Sequence, residues 1–185
     1  FINEFLVRET NHRDDEWGQD RTLFARQVIT AVRAAVGTAV VGLRLSCDEL
    51  APWAGITPEM APDIAAALAG AGLDHLVVVR GSIFSVEKTR PDFHEPTGFN
   101  IDVCRAVKAA VGTVPVFLQG SVVDAGQGEW ALTDGVCDGV EMTRAQIADP
   151  DLVAKLRAGD AARVRPCLRC NQTCQVRDAR SPAVT

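Results

Sequence analysis

The chain has 185 residues and 47% hydrophobic content, enough for one packed core, and its 19 Lys and Arg against 24 Asp and Glu leave a formal net charge of −5. That balance argues against nucleic acid or an anionic membrane as the main partner, because both recruit basic surfaces. No apolar run approaches the roughly 20 residues of a membrane-spanning helix and Phe1-Ile2-Asn3-Glu4 does not resemble a secretory signal, so no membrane partner and a cytoplasmic setting are expected.

In chain order, Phe1 to Arg21 is dense in charged and polar residues and reads as a loop. From Thr22 onward, Leu23, Val28, Ile29, Val32 and Val36 recur at helical spacing and stop at Gly37, a C-cap residue. The apolar run Ala39 to Leu45 then has the length and β-branched content of a buried parallel strand. The same unit returns as a helix from Pro58 through Met60, Ile64 and Leu68 to Gly70-Ala71-Gly72, followed by a strand from His75 to Val79. After a long loop, Arg80 to Gly98, a helix over Asn100 to Val111 feeds a strand from Val114 to Leu118. A helix over Ala125 to Thr133 feeds a strand from Gly139 to Met142, and a last helix, Asp149 to Ala158, leads into a cysteine-rich tail.

Strands alternating with helices at intervals of roughly 25 to 40 residues predict parallel βαβ units. Two architectures compete, a doubly wound open sheet and a (β/α)8 barrel. No G-x-G-x-x-G follows any strand, which weakens a dinucleotide-type Rossmann domain. Eight barrel strands typically need about 250 residues. The barrel reading therefore expects as much sequence again ahead of Phe1, which itself starts in mid-pattern, and it leaves two strand edges open.

The tail places Cys167, Cys170 and Cys174 within eight residues, spaced C-x2-C-x3-C. Thiolates folded inward from a tight loop suit one soft centre, either tetrahedral zinc or an iron–sulfur cluster, and both need four ligands. Only three are local. Cys47, Cys104 and Cys137 sit singly in apolar segments and read as reduced core cysteines, so the fourth ligand is missing or remote. Zinc sites more often pair two C-x2-C knuckles, and with one knuckle here the iron–sulfur reading is favoured.

Barrels keep their chemistry at the carboxyl ends of the strands. Arg44 interrupts the apolar run near its carboxyl end, and a guanidinium in a segment built for burial needs an anionic partner: a bound cofactor, or a salt bridge to Asp48 or Glu49. Gln119-Gly120-Ser121 and Thr143-Arg144 follow the last two strands. Gly120 permits close backbone approach, Ser121 and Thr143 offer hydroxyls, and Arg144 offers a fork for a phosphate, with ordinary turn chemistry as the alternative. His94 reads as a solvated loop residue and His75 as structural, while His12, beside Arg13, faces either the surface or a substrate.

Four motifs together carry a resemblance. They are Phe1-Ile2-Asn3-Glu4-Phe5-Leu6 with Thr10-Asn11-His12-Arg13-Asp14-Asp15-Glu16-Trp17-Gly18; Gly42-Leu43-Arg44-Leu45-Ser46; Met142-Thr143-Arg144 with Ile147-Ala148-Asp149-Pro150; and Cys167-x-x-Cys170-Asn171-Gln172-x-Cys174. With them the chain resembles the carboxyl half of the flavin barrel of the old yellow enzyme superfamily of NADH:flavin oxidoreductases. The resemblance is to the iron–sulfur branch that holds 2,4-dienoyl-CoA reductase and trimethylamine dehydrogenase.

The resemblance implies an α/β chain whose residues 1–160 form the carboxyl-terminal half of a (β/α)8 TIM barrel and whose residues 161–185 form an incomplete cluster-binding segment. It implies FMN and a [4Fe-4S] cluster as cofactors, with NAD(P)H or an electron-transfer partner. Arg44 would contact the flavin ring system, Gly120, Thr143 and Arg144 would hold the FMN phosphate, and Arg13 would contact a small-molecule substrate. Ser121 would join these cofactor-binding residues, but it stands where the family usually has another arginine, so one phosphate contact is weaker or supplied elsewhere. Cys167, Cys170 and Cys174 would be three cluster ligands, with the fourth roughly a dozen residues later, at or just past Thr185. The stretch Gly81 to Arg90 has no histidine where dienoyl-CoA reductases carry a catalytic one, and the family's catalytic tyrosine would precede Phe1, so no catalytic residue is assigned. The partners implied are the amino-terminal half of the barrel and a downstream FAD/NAD-binding domain.

The implied activity is hydride transfer between flavin and an organic substrate, an enoyl or dienoyl compound or an amine, with the cluster relaying single electrons. Two other readings stay open from the residues alone. One is a phosphate-binding barrel lyase or isomerase with structural zinc in its tail, and the other is a non-catalytic isolated fragment.

Overall fold

Strands β1 (Gly42–Asp48), β2 (His75–Arg80), β3 (Val116–Leu118) and β4 (Gly139–Val140) form one sheet in the order β1-β2-β3-β4, with every pairing parallel. This arrangement comes from a computed structural model that describes residues 1–172 and 174. Each strand joins on the same side of the one before it. A doubly wound sheet reverses direction at a switch point, and this order has none, so the strands are four consecutive staves of a barrel.

Helices α1 (Ile2–Leu6), α2 (Glu16–Gln19) and α3 (Leu23–Val36) precede the sheet. Then α4 (Ala61–Ala69) connects β1 to β2, α5 (Ile101–Ala110) lies between β2 and β3, and α6 (Ala125–Thr133) connects β3 to β4. After β4 come α7 (Thr143–Ala148) and α8 (Leu152–Arg157). None of the described helices is long and apolar enough to cross a membrane.

Strand alternation gives the sheet two different faces. Leu45 and Cys47 of β1, Leu76 and Val78 of β2, and Val116 and Leu118 of β3 form a continuous core with Ile29 of α3, Ile64 and Leu68 of α4, Val103 and Val107 of α5, and Ala131 of α6. The other face carries Gly42, Arg44, His75, Phe117 and Gly139. There the His75 ring occupies the space of a side chain at residue 42, where an added Cβ would sit 2.2 Å from the imidazole. Phe117 covers Gly139 in the same way at 2.5 Å, and the two rings meet edge to face at 5.3 Å. Glycine, ring, ring and glycine thus follow one another across the four strands, each ring filling the space over the glycine beside it, and His75 has the structural role expected of it.

Some boundaries depart from the sequence reading, each for a local reason. The opening stretch is not all loop: α1 and α2 lie within it, and Phe5 stacks on Phe24 of α3 at 4.2 Å. Helices of five and four residues show no full amphipathic period, so charge dominated their pattern. β1 runs over Gly42–Asp48 rather than Ala39–Leu45, because the Val41 N–H donates to the Asp74 carboxylate at 2.7 Å while the polar residues Ser46 and Asp48 continue the ladder. The last helix starts at Leu152 rather than Asp149, since Asp149 accepts bonds at its side chain and Pro150 follows it.

Leu118 is fully buried at the centre of the core. Leu118→Ala is expected to cost about 2–5 kcal/mol, read as a lower urea midpoint with an unchanged slope. An unshifted midpoint would show that the sheet does not rest on this helix-facing layer.

Candidate functional site

The carboxyl ends of the strands converge on a cavity of about 390 Å³. Its wall takes Arg44 from β1, Arg80 from β2, Gln119 from the turn after β3, and Thr143 and Arg144 from the start of α7. Thr89 and Arg90 of the long loop and Cys174 of the tail also line it, with Val79, Gly81 and Ile147 as its apolar part. Four arginines and no carboxylate line this space, in a chain whose net charge is −5. The volume falls in the range of small-molecule sites.

Arg144 is tied to three other segments. Its Nη1 donates to the Pro91 carbonyl at 3.0 Å and to Asn171 Oδ1 at 2.6 Å, and its Nη2 donates to Ser121 Oγ at 2.7 Å. The Ser121 hydroxyl in turn donates to the Pro91 carbonyl at 2.8 Å. Ser121 holds a left-handed backbone, φ 59°, which a non-glycine residue keeps only when its surroundings fix it. Before it, Gly120 has φ 134°, and an added Cβ would press within 2.8 Å of the Asn100 amide. Asn100 Nδ2 donates to the Gln119 carbonyl at 2.6 Å, and the Phe99 N–H donates to the Gly120 carbonyl at 3.0 Å. The start of α5 therefore clamps the turn after β3, and the glycine at 120 is a steric requirement.

Arg44 corrects an expectation. Its side chain is 54% exposed rather than buried, and its partner is neither Asp48 nor Glu49. Arg44 Nη1 donates to both carboxylate oxygens of Glu141, just past β4, at 3.0 and 3.2 Å. The reason lies in the face it occupies: Arg44 points away from the helices, and the inner surface of the sheet lets a long side chain reach the last strand. Asp48 is taken by Arg80 Nε at 3.1 Å, and Glu49 Oε2 accepts from the Ile56 N–H at 2.7 Å.

Arg80 was missed by the sequence reading, which ended β2 at Val79. Its side chain is 11% exposed, set between Asp48 and Asp102, the latter at 2.7 Å from Nη2, and its Nη1 donates to the Phe99 carbonyl at 2.7 Å. Burial works to raise the Asp102 carboxyl, but the Arg80 hydrogen bond and charge outweigh it and hold it below the usual aspartate range. The signal was present, an arginine at the carboxyl end of a strand, the same logic that singled out Arg44. Arg13 does not join this group. It pairs with Asp15 through Nε at 3.0 Å and lies 5.2 Å over the Trp17 ring, outside the cavity wall.

The tail docks beside the cavity. Asn171 Nδ2 donates to the Arg90 carbonyl at 2.6 Å, Arg169 Nη1 to the Glu95 carbonyl at 2.6 Å, and the Arg165 N–H to Asp149 Oδ2 at 2.8 Å. Cys170 and Cys174 are exposed, and Cys167 Sγ accepts the Arg169 N–H at 3.4 Å. Among the described residues no three Cys, His, Asp or Glu side chains are grouped to hold a metal. The expected fourth ligand, at or past Thr185, lies outside the described residues, as do Thr173 and residues 175–185. Burial pushes the Cys47 and Cys104 thiols up to about 12 and also raises Cys137, so these three are protonated core residues.

A sheet of parallel staves whose strand ends hold a cationic cavity belongs to the α/β barrel class, which keeps its functional sites at that end. Comparison with known proteins takes this further: the NADH:flavin oxidoreductase / NADH oxidase family matches residues 1–162, and the chain belongs to that family. It is 35% identical over 178 residues to N,N-dimethylglycine/sarcosine dehydrogenase of Chromohalobacter salexigens, covering 92% of this chain and 25% of that relative. Among solved structures it resembles 2-naphthoyl-CoA reductase, with a TM-score of 0.82 and 27% identity, over 93% of this chain and 26% of that one. It also resembles histamine dehydrogenase from Rhizobium sp. 4-9, with a TM-score of 0.83 and 25% identity, over 92% of this chain and 25% of that one. The chain thus spans about a quarter of the length of these relatives.

Two predictions follow from the tail. In metal-free protein, a thiol reagent near pH 8 is expected to label Cys170 and Cys174 quickly and to leave Cys47, Cys104 and Cys137 unlabelled until denaturant is added, as read by peptide mass mapping. The Asp149 carboxyl is held low first by Lys155, then by the Arg165 and Asp151 N–H groups. A lowered folded-state value means that its stabilisation is complete above the ordinary aspartate value and fades as pH falls through the lower one. Protection of the Arg165 amide against hydrogen exchange should therefore persist at pH 5 and be lost only below about pH 3.9. Loss already at pH 5 would contradict the assignment.

Proposed function

We propose that this chain supplies the phosphate-holding and ring-contacting part of an FMN-dependent oxidoreductase barrel. The observation that carries the reading is the cavity wall of four arginines without a carboxylate in a chain of net charge −5. Fixed cations at the strand ends suit a phosphorylated cofactor, and the donors present fit one: guanidinium forks and the Thr143 hydroxyl. Arg144, already anchored by Pro91, Ser121 and Asn171, is a preorganised cation and holds the phosphate with Thr143 and Gly120. Ser121 adds no charge of its own and acts by orienting Arg144. Arg44, whose guanidinium reaches Glu141, faces the ring system and stabilises negative charge there. The bound flavin supplies hydride and single-electron chemistry, and the protein supplies position and field.

For the substrate, the reading favours an amine over a conjugated double bond. The dimethylglycine/sarcosine and histamine dehydrogenases are named for amines and 2-naphthoyl-CoA reductase for a reduction, and what tips the balance is that Gly81 to Arg90 holds no histidine to act as an acid. Arg13, held by Asp15 on the opening segment, is proposed to face the substrate in the intact protein. The spacing of Cys167, Cys170 and Cys174 supports a [4Fe-4S] cluster whose fourth ligand lies further along the chain. NAD(P)H or an electron-transfer partner, the amino-terminal half of the barrel and a downstream FAD/NAD-binding domain complete the proposed enzyme.

The test is an absorption spectrum with iron, sulfide and zinc analysis on the full-length protein purified without oxygen. Flavin bands with iron and sulfide are expected; a colourless, zinc-containing protein would overturn both cofactor assignments. Arg44→Ala is expected to weaken FMN binding about tenfold, the scale of one charge-assisted contact. Unchanged affinity and unchanged rates of flavin reduction would remove Arg44 from the site.

A further inference from the structure

We propose that Glu141 is a positioning residue that sets the electrical environment of the flavin through Arg44, lowering the reduction potential of the bound cofactor. This inference rests on the flavin reading above. Among the described residues Glu141 is the sole acceptor of the Arg44 side chain, engaging Nη1 through both of its oxygens at 3.0 and 3.2 Å. Nη2 and Nε of the same guanidinium have no described protein partner and remain available to a ligand in the cavity that Arg44 lines. The two residues lie 97 positions apart and join the first strand to the end of the last.

Stability does not account for this pair. Arg44 is 54% exposed and Glu141 28%, and ion pairs that are this solvated contribute little to folding. The other candidate carboxylates nearby are engaged elsewhere, Asp48 with Arg80 and Glu49 with the Ile56 N–H. The cavity wall itself holds no acid, so Glu141 is the group that discounts the positive charge Arg44 presents. A reduced flavin ring carries more negative charge than an oxidised one. An arginine with its charge partly cancelled favours the reduced form less, while its fork still holds the ring in place. Through the 3.0 Å contact, Glu141 separates the two things Arg44 would otherwise do together, holding the ring and stabilising its reduced state.

The experiment measures the reduction potential of bound FMN, against a reference dye, in the full-length flavoprotein and its variants. Glu141→Gln keeps the shape and removes the charge, and it is expected to tighten reduced over oxidised FMN about tenfold, a rise of about 30 mV for two electrons. Glu141→Ala should do the same, and Glu141→Asp should stay near the parent value. In an Arg44→Gln background, Glu141→Gln should shift the potential little, because the effect passes through the guanidinium. An unchanged potential in Glu141→Gln and Glu141→Ala, or an equal rise with and without Arg44, would overturn the proposal while leaving the flavin assignment in place. Absence of FMN from the parent protein would instead remove the flavin reading, and this proposal with it.

Discussion

The site depends on the Arg144 guanidinium. It sits at the head of α7 and reaches the loop after β2 at Pro91, the turn after β3 at Ser121, and the cysteine tail at Asn171. None of these segments has a regular ladder to the others at this end of the sheet, and a rigid fork of donors fixes three of them around one point. Because Ser121 and Arg144 both donate to the Pro91 carbonyl, the knot is closed as well as branched. A lysine could keep the charge but could not span these acceptors with a planar fork.

Around that knot the chain separates its charges. The sequence as a whole is acidic, yet the acids near the cavity are committed to specific partners: Asp48 and Asp102 to Arg80, Glu141 to Arg44, and Asp149 to Lys155 and the Arg165 N–H. Arg90, on the long loop, meets no acceptor for its guanidinium among the described residues. The cavity is therefore graded, with Arg44 and Arg80 each facing a carboxylate, and Arg144 and Arg90 answered only by neutral groups or by none.

Much of this was legible from residue order. The strand–helix alternation was clear because buried parallel strands read as short apolar runs and their helices as amphipathic ones. The turn at Gly120 and the helix start at Thr143 and Arg144 were visible because each follows an apolar run directly. What the sequence hid was long-range pairing. Nothing in the segment around Arg44 points to Glu141, and the local acids Asp48 and Glu49 were nearer in sequence and chemically equivalent. Strand parity decided the matter by turning Arg44 onto the face away from the helices. The role of Ser121 was likewise hidden, since its importance lies in accepting from a residue 23 positions later. The two short helices at the start escaped notice because an aromatic cluster with Phe24, rather than a repeating pattern, holds them.

The inner face of the sheet carries one more consequence. His75 fills the space above Gly42 and Phe117 the space above Gly139, so that four positions on four strands share two side-chain volumes. A side chain at either glycine would need its ring to turn aside, and losing a ring would leave an unfilled gap beside a glycine. Bulk at these positions is therefore exchangeable in complementary pairs, passing from one strand to its neighbour in a single step. Over evolutionary time the four would behave as two linked characters.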